Sequence, residues 1–111
     1  MIIPFPWEVT VSYKPGTAEG PLSILEASRQ IDLYDPKFKN AWKLGIALDE
    51  YSEEWKATSD EWREKAAHCI EAMSEGHDPN ADDIKSVQND LEEVTKKFNA
   101  WVKERTLHYL N

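Results

Sequence analysis

The sequence predicts a mainly α-helical single domain built on a long antiparallel hairpin, and three features of the chain say so. Apolar residues recur at helical spacing over two long stretches. A Glu75-Gly76-His77-Asp78-Pro79 turn separates those stretches, and a proline stands at the expected start of each helix. Phe38, Gly45, Ser52, Ser59, Ala66 and Met73 fall seven apart, and Leu48, Trp55, Trp62 and Cys69 interleave with them. Beyond the turn, Ile84, Leu91 and Phe98 alternate with Val87, Val94 and Trp101. Residues three, four and seven apart share one helix face, so both arms should meet along a heptad seam.

In chain order, residues 1–16 form an extended arm. Trp7, Val9, Val11 and Tyr13 alternate with polar neighbours, the pattern of a half-buried strand over about 7–13. Pro15-Gly16 ends it as a turn. A strand without a partner offers unpaired backbone groups, so the arm either lies across the helices or pairs with a second copy as a homodimer. Gly20-Pro21 opens a short helix of about 21–33, since proline fits the first helical position. Ile24, Ala27, Ile31 and Tyr34 give it one apolar face that can close a three-helix bundle over 21–110.

Asp35-Pro36 then caps a middle helix of about 37–75, with the weaker helix formers Ala57-Thr58-Ser59 as the point where a break is conceivable. The last helix covers about 80–110. Folding the chain at His77 sets Trp62 near Val94, Trp55 near Trp101 or Val102, and Leu48 near Tyr109. Small seam residues facing large ones allow close packing.

The 111 residues carry a net charge of −8, with 31% charged and 41% hydrophobic positions. That balance suits an elongated helical protein with a narrow core. It disfavours nucleic acid and anionic membrane as direct partners. One cysteine excludes an internal disulfide and fits a reducing compartment. The N-terminus lacks the charge and apolar run of a signal peptide. A soluble, cytoplasmic protein is expected, in the host cytoplasm if the chain is phage-encoded.

Charge is unevenly spread. Residues 1–48 carry five acids and five bases, 49–93 fifteen acids against four bases, and 94–111 one acid against four bases. Folded back, Lys96, Lys97, Lys103 and Arg105 should compensate Glu53, Glu54, Asp60 and Glu61. The turn end stays acidic, either as a solvated face or as a surface that docks on a basic groove.

No catalytic pattern is legible. Asp78-Pro79-Asn80-Ala81-Asp82 opens like a calcium loop, but Asp83 and Asn89 stand where glycine and the bidentate acid belong. His68, Cys69 and His77 lack zinc spacing, and no nucleophile elbow or phosphate loop occurs. Residue patterning therefore favours a non-catalytic acidic module with no metal and no cofactor. It would inhibit a basic, nucleic-acid-handling protein by covering its binding surface, as phage anti-CRISPR proteins do.

Contact would run through Glu71, Glu75, Asp82, Asp83, Glu92 and Glu93. Trp7 and Trp42 would be apolar anchors, because tryptophan is enriched at binding hot spots. Trp55, Trp62 and Trp101 belong to the core. The alternatives are an assembly protein that homo-oligomerises through the arm, and an antitoxin or immunity protein.

Overall fold

The computed structural model describes residues 1–11 and 14–110. Among the described residues it contains three α-helices: α1 (Gly20–Ala27), α2 (Glu53–Ser74) and α3 (Asp82–Leu110). Short 3-10 turns flank α1 and cover Ala41–Leu44. No sheet forms among the described residues. The one β-type pairing among them is an isolated parallel bridge between Ile2 and Leu48. The mainly helical expectation holds, and the last two helices form the antiparallel hairpin.

The hairpin is terminated by local chemistry that the sequence displays. Ser52 caps α2, its hydroxyl accepting from the Trp55 N–H at 3.2 Å. Glu53 and Glu54 sit in the first turn, where the helix dipole favours negative charge. At the far end Gly76 takes φ 91°. The His77 N–H then reaches the Ala72 carbonyl and the Gly76 N–H the Met73 carbonyl, both at 3.1 Å. This paired closure lets the chain reverse after one left-handed residue. Asp78 accepts from the Asn80 N–H at 2.8 Å and leads into α3.

The middle helix begins far later than heptad spacing implies. Residues 37–52 are not part of α2, and the backbone is left-handed at Asn40 (φ 68°) and Gly45 (φ 75°). Two such positions so close together are incompatible with a continuous helix, whatever their apolar spacing. Asp35 does cap as expected, accepting from the Lys37 and Phe38 N–H groups, but only bends and turns follow it. The conceivable break near Ser59 does not occur, and α2 runs straight through it. The short helix also ends early, at Ala27, with a further turn to Gln30.

The core lies where the N-terminal arm crosses the upper hairpin. Trp7 stacks on Phe98 at 4.4 Å, and Trp55 approaches Trp101 at 5.7 Å, the pairing expected from the seam. Phe5 meets Trp101 edge-on at 5.5 Å. Pro6 and Val9 are buried beside them, and Ala66, Cys69 and Ile84 carry the apolar contact toward the turn. Aromatic clusters of this kind combine large buried area with favourable edge geometry.

The arm is not the strand that its alternation suggests. The expected strand over 7–13 is absent among the described residues, and its last positions, Ser12 and Tyr13, lie outside them. Glu8 is buried although the alternation puts it outside. The chain turns at Val9 and Thr10 instead of continuing extended.

Candidate functional site

Two polar assemblies tie the arm and the linking segment to the hairpin. The first centres on Glu8. Its backbone N–H donates to the Ser59 hydroxyl at 2.9 Å, and its carbonyl accepts from the Arg63 guanidinium at 2.8 Å. Its carboxylate accepts from the Gly16 and Ala18 N–H groups at 2.8 and 3.0 Å. Tyr51 donates its hydroxyl to the Ala18 carbonyl at 3.1 Å. Burial pushes the Glu8 carboxyl up, but the Ala18 and Gly16 N–H groups and the Arg63 charge outweigh it and hold the group below its ordinary value. A carboxylate held this way is a poor proton acceptor. Glu8 positions the 16–18 loop, where Gly16 takes φ 123°.

The second centres on Asp49. Its N–H donates to the Ile2 carbonyl at 2.8 Å, which aims its side chain at the end of α3. There the Arg105 guanidinium grips both carboxylate oxygens, with one contact at 2.7 Å, and the Tyr109 hydroxyl adds a bond of 2.6 Å. The Asp49 side chain is only 7% exposed. The Arg105 bond, assisted by Tyr109, lowers its pKa to about 2. This fork-to-fork pair neutralises Arg105 and leaves its neighbours to define the local charge.

Two clefts share Trp101 and Arg105 in their linings. One, of about 310 Å³, is lined by Glu50, Tyr51, Ser52, Glu53, Glu54 and those two residues. The other, of about 500 Å³, adds Glu104, Leu107 and His108. Three carboxylates and two aromatic rings around one cleft suit a cationic ligand by charge attraction and cation–π contact. A smaller groove of about 170 Å³ near the turn brings His68, Cys69 and Asp83 to its rim. Even so, no three His, Cys, Asp or Glu residues among those described stand close enough to hold a metal ion.

The residues singled out from sequence are scattered. Glu71, Glu75, Asp82, Asp83, Glu92 and Glu93 are all exposed, the first four around the turn. Glu92 and Glu93 pair with Lys96 of their own helix at 3.0 and 2.8 Å. Among the described residues, the expected compensation across the hairpin is replaced by pairs within a helix, Lys56 with Asp60 and Lys65 with Glu61. Arg105 does reach out of its helix, but its partner is Asp49. Trp7 sits inside the aromatic core against Phe98 and Trp55, whereas Trp42 is 54% exposed with Lys43 over its ring. Sequence reasoning misses Glu8, Ser59 and the Asp49–Arg105–Tyr109 group. Their partners lie more than fifty residues away, and no local period signals such pairs. The small polar Ser59 on an apolar seam is the one available hint.

Comparison with known proteins decides the ancestry. Residues 1–104 match the arginase family. The chain belongs to the arginase family. A curated relative, the N(1)-aminopropylagmatine ureohydrolase of Synechocystis sp., is 46% identical over 35 residues. That stretch is 32% of this chain and spans only 11% of the relative's length. No solved structure matches the chain. Arginase-family membership overturns the expectation of a non-catalytic acidic inhibitor, and with it the anti-CRISPR, assembly and antitoxin readings. Charge and heptad patterning could not reveal this, because both report surface and packing and neither reports descent. Among the described residues, no helix is long and apolar enough to cross a membrane.

Proposed function

We propose that this arginase-family chain serves a urea-releasing hydrolysis of a guanidine-bearing polyamine related to N(1)-aminopropylagmatine. The match to the arginase family over 1–104 carries the reading, and the ureohydrolase relative names the substrate class. In such a reaction water adds to the guanidine carbon, the bond from that carbon to the alkyl nitrogen breaks, and urea and a protonated amine separate. Water attack on so stabilised a carbon requires activation by a metal ion or a general base. The described residues gather no metal-holding group, so no step is assigned to a metal on this chain. The part assigned to it is substrate contact, and its acidic and aromatic cleft beside Trp101 is the surface suited to a cationic chain.

Two measurements test the reading. Urea release from N(1)-aminopropylagmatine, with and without added divalent metal, reports turnover. Shifts of the Trp101 indole resonance on titrating the same compound report contact. Urea release that Glu53→Gln and Glu54→Gln weaken supports the whole reading. Contact without turnover retains substrate binding and rejects catalysis by this chain alone. Neither urea nor resonance shifts would reject both.

A further inference from the structure

We propose that Asp49 is a positioning residue for cation binding beside Trp101, holding the Arg105 guanidinium off the carboxylates that a guanidine-bearing ligand needs. Asp49 lines neither cleft itself, and its role rests on the substrate-contact reading of the cleft.

Arg105 stands in the same wall as Glu50, Glu53 and Glu54. Among the described residues it is the one arginine or lysine that lines either cleft. Its side chain ends in an alkyl guanidinium, the group that a guanidine-bearing polyamine presents. Such a group forms forked, charge-assisted bonds with any carboxylate in reach. Tethered beside three of them, it would compete with the ligand at the high effective concentration of a linked group. Glu50 adjoins Asp49 in the chain, and its negative charge already reaches Arg105.

Asp49 sequesters this competitor. Its two oxygens accept from Nε and Nη2 of Arg105, the Nη2 bond being 2.7 Å. The Tyr109 hydroxyl at 2.6 Å and the Glu50 N–H at 2.8 Å fix the same carboxylate. The Asp49 N–H is pinned in turn on the Ile2 carbonyl at 2.8 Å. The Asp49 side chain is nearly buried, whereas Glu50, Glu53 and Glu54 are exposed. A desolvated carboxylate holds a guanidinium more firmly than solvated ones do, so the clasp prevails over the cleft. Among the described residues no ion pair engages Glu50, Glu53 or Glu54, and all three stay open to a cation from solution.

Titration of the full chain with N(1)-aminopropylagmatine, read by the Trp101 indole resonance, tests the proposal. Asp49→Asn releases Arg105 onto the cleft carboxylates and should weaken binding at least about tenfold. A cleft occupied about nine-tenths of the time by its own guanidinium loses affinity in that proportion. Asp49→Asn with Arg105→Gln removes clasp and competitor together and should return the affinity to within about twofold of wild type. Arg105→Gln alone leaves the Asp49 carboxylate without its counter-charge and should tighten binding severalfold.

A merely structural clasp gives the opposite pattern, in which all three variants weaken and the double variant gains nothing over Asp49→Asn. That pattern, or an Asp49→Asn affinity equal to wild type, overturns the proposal and leaves substrate contact at the cleft standing. Absence of resonance shifts in the wild type overturns both. Helical circular dichroism checks that each variant folds. Where Asp49→Asn does not fold, the sign of the Arg105→Gln change decides.

Discussion

The upper hairpin and the 22–46 segment have similar apolar content and opposite fates. Where the arm crosses the hairpin, Trp7, Trp55, Phe98 and Trp101 close on one another within about 6 Å. In the segment Phe38, Trp42 and Leu44 face solvent. The difference lies in the backbone. Unbroken helices hold their apolar side chains on one stripe that a second helix can cover, whereas left-handed turns at Asn40 and Gly45 scatter them. Hydrophobic residues supply a driving force for burial, and a regular backbone makes that burial possible within one chain.

Substitutions should expose this contrast, beginning with the core. Phe98→Ala removes the ring that Trp7, Trp55 and Trp101 all touch, and should cost about 3–5 kcal/mol in urea denaturation. Ser59→Ala should cost about 1–3 kcal/mol, because it leaves the buried Glu8 N–H without an acceptor. A loss under about 0.5 kcal/mol would show that water reaches this position.

The Asp49 clasp predicts a pH signature. Its folded pKa of about 2 lies below the ordinary aspartate value of about 3.9, so its stabilisation is full above the latter. It fades as pH falls through about 4 toward 2. Thermal melts should therefore show the wild type losing more stability than Asp49→Asn over that window. Parallel curves would mean that the Arg105 contact does not persist in solution.

Leu44 offers the smallest effect and the sharpest control. It is 90% exposed, and Leu44→Ala should change stability by less than about 0.5 kcal/mol. A core-sized loss there would erase the distinction between the two regions.

Legibility follows the range of the interaction. The turn at Gly76, the span of α3 and the meeting of Trp55 with Trp101 are all readable, because capping and seven-residue spacing act between near neighbours on one helix. The start of α2 is misread because Phe38, Gly45 and Ser52 continue the heptad while their backbone does not. Of the candidate site, the acids Glu53 and Glu54 are visible as charge, but their cleft with Tyr51 and Trp101 is not.

By itself the sequence determined two long helices, their reversal and an acidic surface, since each depends on residues within a few positions. The tertiary structure alone decided that Glu8 would be buried under Ser59 and Arg63, and that Asp49 would clasp Arg105. Those groups lie more than fifty positions apart, and only the folded hairpin brings their donors and acceptors within hydrogen-bonding reach.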